Sequence, residues 1–447
     1  MAKPTLALIP SAIGDKLYSV LPSDGGGDFD LTRATTATRV NSQGLIETVA
    51  SGDVRLDYPL VNGVVSGCPH HLIEPQKGNS IGNSEDITAS NWNTSNANTF
   101  SNTTTSPSGS LSMDSFIENT ATSSHSLNPL NMTITGGSKN CVSFFIKKID
   151  GGADRYIRVD FVSSDFSTGA RALFNPQNGT VQIPPASIGY GSFIDSGIED
   201  YGNGIYRVYL TCRLDSNRTD ARVQLYLQQS GSDYSASYTG DGSSGVHLWG
   251  FQFERDATLP TSYIPNNTTG IVTRDADIGV PSNKGIQTGD ISSYVDGSNG
   301  VFYFEGSFAD FNVVNRITLS NSTGGFGGDY ISIATNNSGS TEENKRTEIV
   351  VFYKIETPLS TGVEKAIVND VRDNFKMAIS WDGTTLKGYA NGVEFFSNSE
   401  TAFGGFDRVY FSRADNNIAG VFHGKQKDLR VYDTALTDAE LVTLTTL

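Results

Sequence analysis

FKMAISWDGTTLKGYANGVEFF (375–396), followed by KDLRVYDTALTDAEL (427–441), alternates apolar and polar residues along successive strands. Phe375, Met377, Ile379 and Trp381 recur every second residue, the signature of a strand with one buried face. The Trp381-Asp382-Gly383 turn ends that strand. A second strand follows, and Asn391-Gly392 folds the chain back as a two-residue hairpin turn. After a last strand, Thr437 and Glu440 form a capping box that opens one short terminal helix. Trp381 reads as core.

The same pattern extends back to VFYFEGSF (301–308), NRITLS (315–320), YISIAT (330–335) and TEIVVFYK (347–354), so residues 285–447 read as one β-sandwich. A second sandwich, of jelly-roll type, is expected over 81–278. Its strands are VSFFIKKI (142–149), RYIRVDFV (155–162), GIYRVYLTCRL (204–214), ARVQLYLQ (221–228) and VHLWGFQFE (246–254), separated by turns such as Asp150-Gly151-Gly152 and Asn178-Gly179. Trp249, in line with Phe251 and Phe253, is expected in its core. Residues 1–61 read as a small separate β unit with a hairpin around Asn41-Ser42-Gln43-Gly44. It is too small to close its own core, so its apolar face is expected to pack on a partner. Residues 62–80, punctuated by Gly and Pro and carrying His70-His71, read as a polar connector. The predicted class is all-β: a small N-terminal β anchoring unit followed by two β-sandwich domains.

Composition agrees with this reading. The chain of 447 residues has 47 glycines and only 18% charged residues, too few for long surface helices. A net charge of -16 argues against a nucleic-acid partner, since phosphate binding needs a positive field, and disfavours anionic lipid. A neutral glycan, or an acidic one bridged by divalent cations, suits it better. Cys68, Cys141 and Cys212 are an odd number with no short spacing, which gives neither a disulfide framework nor a zinc site. Cys212 alternates with core residues and reads as buried. The apolar run near the N-terminus is short and interrupted, so neither membrane insertion nor a targeting signal is expected.

No Walker loop, His-Glu-X-X-His or Cys-X-X-Cys pair occurs. Acid pairs such as Glu85-Asp86 and Glu199-Asp200 would support glycoside hydrolysis only if two carboxyls met across a groove. The expectation is therefore a protein that is not an enzyme and needs no cofactor. Calcium is the one candidate, at Asp241 in the loop TGDGSSG (239–245), which offers a carboxylate among flexible carbonyls. The candidate binding residues lie on two strands of the middle unit. Tyr206, Val208, Leu210 and Cys212 share an apolar face, as do Val223, Leu225 and Leu227. Were these strands neighbours, the opposite face would present Arg207, Tyr209, Gln224, Tyr226 and Gln228 together. Aromatic plates beside planar hydrogen-bonding groups are what a sugar needs.

The stretches DFDLTRATTATRVNSQGLIETV (28–49), VRLDYP (54–59), HHLIEPQKGNSIGNSEDITASNW (70–92), SYTGDGSSGVHLWGFQFERDATLPTSYIP (237–265) and VTRDAD (272–277) resemble a group of tailed-phage virion proteins. The middle unit is similar to the carbohydrate-binding-module-like jelly roll of phage head or tail fibres. The C-terminal unit resembles a concanavalin A-like (laminin-G-type) lectin domain. The resemblance implies a virion structural protein on the particle surface that adheres to a host-surface glycan. Residues 1–61 would anchor it to other virion proteins, and the chain would assemble as a homo-oligomer, a trimer in common fibres. The rival expectations are a purely structural capsid or tail connector and a surface glycan hydrolase or lyase.

Overall fold

The structure is a computed structural model. It describes all residues except 1, 130, 280–285, 296, 310–312, 322–327, 337–340, 356–358, 401–404 and 414–419. The expected start of the last unit, at 285, lies outside the described residues. The chain is all-β as expected, with only two short helices among the described residues, neither able to cross a membrane.

The middle sandwich packs two antiparallel sheets face to face. One runs in the order Trp92–Ser95, Ser126–Pro129, Asp220–Gln228, Tyr156–Val162, Gly169–Asn175 and Thr180–Ile188. The other runs Ala97–Thr105, Leu111–Glu118, Gly245–Glu254, Lys139–Lys148, Ile205–Arg213 and Ser192–Asp200. The inward faces are those the period-two pattern names. Val208, Leu210 and Cys212 of one sheet and Val223, Leu225 and Leu227 of the other share one core, where Phe144 stacks on Phe251 at 4.7 Å.

Trp249 departs from that pattern. Across from Ser143 and Phe145 the register skips from Gln252 to Trp249, so the strand carries one extra residue, with Gly250 at φ +66°. That β-bulge turns Trp249 to the outer face, while Leu248 and Phe251 both point inward. Outside, Trp249 joins Phe145, Met113, Ile205 and Tyr263 in a patch that Ile46 covers. Ile46 belongs to the hairpin of Ala37–Val40 and Ile46–Val49, closed by Asn41, whose Oδ1 accepts the amides of Gln43 and Leu45.

The C-terminal sandwich has one sheet of Ser360–Ile367, Glu348–Ile355, Tyr330–Thr335, Arg316–Ser320 and Arg408–Tyr410. Its larger sheet orders Val393–Ser399, Thr385–Ala390, Phe375–Trp381, Gly300–Phe308 and Gly424–Tyr432, then His70–Ile73 and Leu56–Asp57. Asn391 and Gly392, at φ +47° and +83°, make the expected hairpin. The helix Asp438–Thr445 opens on the Thr437–Glu440 capping box and lays Leu441 and Leu444 over Tyr303, Tyr389 and Tyr432. Trp381 is buried in the core, edge-on to Phe406 at 5.4 Å.

The N-terminal region corrects two expectations. Residues 1–61 are not separately packed, because Leu6–Leu8 pairs with Leu429–Val431, more than 400 residues away. Leu6, Leu8, Leu17, Phe29 and Leu31 enter the C-terminal core, with Phe29 5.0 Å from Phe411. The apolar face thus finds its partner within the same chain. Nor are residues 62–80 a plain connector: His71–Ile73 pairs with Gly424–Gln426, and Lys77–Asn79 with Val272–Arg274. The N-terminal 80 residues form a seam with Ile46 on one sandwich and Leu6 in the other.

A buried ion cluster closes that seam. Asp277 accepts Arg33 Nη1 at 2.7 Å and also Arg55 Nη2. Glu74 Oε2 accepts Arg55 at 2.6 Å and Arg274 at 2.7 Å, and its Oε1 accepts the Ser262 amide at 2.7 Å. Beside Arg274, Thr261 donates its hydroxyl to Glu254, which is also fully buried. Burial works against the carboxylate form of Glu74, but Arg274, Arg55 and the Ser262 bonds outweigh it and hold the carboxyl well below its usual range. For Asp277 burial is likewise outweighed, by Arg55 and Arg33.

His71 sits against this cluster, fully buried and edge-on to Phe411 at 6.1 Å. Neither ring nitrogen has a hydrogen-bond partner. Burial lowers its pKa to about 4, with Arg55 acting the same way against the pull of Asp277. His70, on the opposite face of the strand, is lowered to about 4 by burial and Lys425. Below pH ~6.5 the unfolded chain therefore takes up protons that the folded chain refuses. The stability from each histidine is complete above that pH and is lost as pH falls toward 4, by about 3 kcal/mol at most. Glu74 and Asp277 add a further loss at lower pH, below the ordinary carboxylate range. The urea midpoint is expected to fall between pH 7 and 4.5, and His71→Phe to fall by clearly less. An identical fall in parent and variant would show that His71 is not the group responsible.

Candidate functional site

The five residues proposed as one sugar-binding face do not come together. Ile205–Arg213 and Asp220–Gln228 lie in different sheets, because the chain between them crosses from one layer to the other. Their inward faces meet in the core, so Tyr209 and Tyr226 point out of opposite sides of the sandwich. Tyr209 lies against Gly197, where a Cβ would meet its ring at 2.5 Å, and burial raises its phenol. The Arg158 guanidinium covers the Tyr226 ring at 4.5 Å. Gln224 is buried, and Gln228 is buried with Nε2 donating to the Ser235 carbonyl in the loop that folds over this face. Arg207 is 5% exposed; its Nη2 donates to Ser143 Oγ at 3.1 Å and the Thr261 carbonyl at 2.8 Å, pinning the 258–261 loop.

Asp241 is committed to its own turn. Oδ1 accepts the amides of Ser243 and Ser244, each at 2.7 Å, and Oδ2 accepts Ser244 Oγ at 2.6 Å and Arg155 Nη2 at 3.1 Å. Arg155 in turn forks onto the buried Glu118. A guanidinium already stands where a cation would approach. No group of three or more His, Cys, Asp or Glu side chains able to hold a metal occurs among the described residues.

Of the five predicted residues, Arg207 alone borders a sizeable cleft, one the seam creates between the sandwiches. It encloses about 590 Å³. The middle sandwich supplies Glu199, Asp200, Tyr201 and Arg207, the C-terminal sandwich Arg372 and Lys425, and the seam Asp57 and Tyr58. Next to Asn62 and Tyr201 of its lining, two turns touch. Gly63, at φ +72°, and Gly202, at φ +80°, approach so closely that a Cβ on Gly63 would lie 2.3 Å from Gly202 Cα. Only glycine fits both the backbone geometry and the gap.

Ion pairs brace the walls. Lys425 Nζ is 2.9 Å from Asp57, whose other oxygen accepts the Val40 amide at 2.8 Å. Arg372 reaches across the seam, 2.5 Å from Asp195 of the middle sandwich and 2.6 Å from Asp370. Tyr201 stands edge-on to Phe145 at 5.0 Å, and burial pushes its phenol up to about 12. The Tyr58 and Tyr201 hydroxyls make no hydrogen bond to any described residue. A cleft with two neutral phenols and a braced polar wall can hold a small hydroxyl-bearing ligand in a fixed pose. Sequence reading missed it because its walls come from many separated segments, with Arg39, Asp57, Glu74, Tyr201, Pro260, Arg372 and Lys425 each from a different one. The local signals were Asn62-Gly63, between Leu60–Val61 and Val64–Val65, and Gly202 in YGNGIYRV.

No family model and no curated protein matches the chain. Among solved structures it is similar to the CBM40 of Ruminococcus gnavus IT-sialidase bound to α2,3-sialyllactose, at 18% identity and a TM-score of 0.29, over 35% of this chain and 91% of that one. The NanB sialidase of Streptococcus pneumoniae matches at 20% identity and TM-score 0.29, over 37% of this chain and 26% of that one. A SAP-like pentraxin of Limulus polyphemus matches at 13% identity and TM-score 0.25, over 33% and 69%.

The bonding of Asp241 makes a prediction about calcium. Millimolar calcium or a chelator is expected to leave the melting temperature unchanged, whereas Asp241→Ala lowers it by uncoupling Arg155 from the turn. A calcium-dependent rise in melting temperature that Asp241→Ala abolishes would contradict this assignment.

Proposed function

We propose that this chain is a binding protein without catalytic chemistry, a virion appendage that holds host-surface glycans in the cleft between its sandwiches. The observation that carries the reading is that Tyr58 and Tyr201, whose hydroxyls have no partner among the described residues, line one cleft of about 590 Å³. Stacking and hydroxyl contacts of this kind are weak singly and gain strength by repetition on a particle. A hydrolase would need a carboxyl kept protonated near neutral pH. Glu74 in this wall is held in the opposite direction, ionised by Arg274 and Arg55 against the effect of burial.

The virion setting rests on the sequence resemblance, whose motifs supply Arg33, Arg55, Glu74, Arg274 and Asp277. With residues 6–8 and 70–73 built into the C-terminal sheet, anchoring to other virion proteins falls to the outer surface of the seam. Self-assembly, a trimer in this reading, is supported by the edge strand Ser360–Ile367, which leaves Val363 59% and Ile367 70% exposed. Light scattering is expected to return three times the chain mass of 47.9 kDa; a monomer would remove that part of the reading.

Glycan arrays and adsorption to host cells test the site. Tyr58→Phe together with Tyr201→Phe, which deletes only the two hydroxyls, is expected to weaken binding about tenfold or more. Tyr209→Ala with Tyr226→Ala, on the two outer faces, is expected to leave it within about twofold. The reverse ranking would move the site back to the sheet faces.

A further inference from the structure

Resting on the glycan-binding reading, we infer that the seam cleft selects uncharged, hydroxyl-rich sugars and rejects those bearing carboxylate or sulfate. The selectivity follows from which charges in the wall are already neutralised. Four cations line the cleft, and each is engaged by the protein. Lys425 is paired with Asp57, and Arg372 with Asp195 and Asp370. Arg39 lies 2.7 Å from Glu47 through Nη2. Arg207 has given Nη2 to Ser143 and Thr261, and its Nε is covered from solvent. To pair with Lys425, Arg372 or Arg39 an acidic sugar would have to break an ion pair and leave a carboxylate of the wall uncompensated, and at Arg207, which is 5% exposed, it would meet Glu199 across the strand pair.

The acids lining the cleft divide differently. Asp57 and Glu74 are spent on Lys425 and on the arginine cluster, but Glu199 and Asp200 have no cation within 4 Å among the described residues. Glu199 is exposed and lies across the strand pair from Arg207; Asp200 gives one oxygen to the Gly202 amide at 2.8 Å. These carboxylates accept hydrogen bonds, as sugar hydroxyls require, and repel a second anion. The phenols of Tyr58 and Tyr201 can donate or accept. The wall therefore offers acceptors and neutral donors, and its one cation outside an ion pair, Arg207, is buried and outnumbered by Glu199 and Asp200. The formal charge of -16 on the whole chain acts the same way at longer range.

The test titrates the full-length protein with matched pairs of oligosaccharides that differ only in one acidic group. Lactose against 3'-sialyllactose, and neutral oligosaccharides against their sulfated or uronic-acid counterparts, cover the chemistry, at low and at high salt. Neutral members are expected to bind at least about tenfold more tightly than their acidic partners at low salt, with the gap narrowing as salt screens the repulsion. Glu199→Gln combined with Asp200→Asn is expected to narrow the gap further by raising affinity for the acidic member. Equal or tighter binding of acidic sugars overturns the selectivity while leaving glycan adhesion standing. Binding of no sugar of either kind overturns the adhesion reading itself, and the selectivity with it.

Discussion

Asp277 and Glu74 hold three arginines in the dry interior, and the arrangement of the two sandwiches depends on that cluster. Burying an ion costs several kcal/mol, and the loss is offset by ion pairs and hydrogen bonds in good geometry. Here the partners come from separated stretches: Arg33 and Arg55 from the N-terminal segment, Glu74 beside the completing strand, and Ser262, Arg274 and Asp277 from the end of the middle sandwich. None of these stretches can leave without stranding a charge. Apolar packing is tolerant of small slips, whereas a bidentate guanidinium is not. The cluster therefore sets the relative position of the layers, and the strand pairings of Leu6–Leu8 and His71–Ile73 follow from it.

That rigidity has a functional consequence. The cleft lies where the two sandwiches meet, with the Gly63–Gly202 contact next to its lining and Arg372 bridging to Asp195. A ligand entering a preformed cleft need not spend its contacts on ordering the walls. On a single sheet face the same tyrosines would be half solvated. Between two braced walls they line the same cleft as Glu199 and Asp200.

The legible part of the fold was whatever repeats locally. Alternation along 205–213 and 220–228 identified the inward residues, and Asn391-Gly392 and Thr437–Glu440 marked a hairpin and a helix start that the structure contains. What failed required knowing which strands are neighbours. Arg207, Tyr209, Gln224, Tyr226 and Gln228 were grouped because their strands are consecutive, and consecutive strands of a jelly roll can belong to opposite sheets. Period two also cannot see an inserted residue, so Gly250 carried Trp249 to the wrong side of the expected core. The pairing of Leu6–Leu8 with Leu429–Val431 leaves no trace in either segment, since any apolar strand of that length would read alike. The charged residues inside the family-like motifs were the visible hint of the seam. Arginines and acids set among apolar strand residues, away from any turn, can be buried only if they neutralise one another.

The buried ions are expected to make one cooperative body of the two sandwiches. Scanning calorimetry of the full chain beside Asp277→Ala tests it most directly. A single transition with matching calorimetric and van't Hoff enthalpies is predicted for the parent. The variant, left with uncompensated arginines, should lose about 3–5 kcal/mol and separate into two transitions. Two transitions in the parent, or an unchanged trace for the variant, would contradict the account.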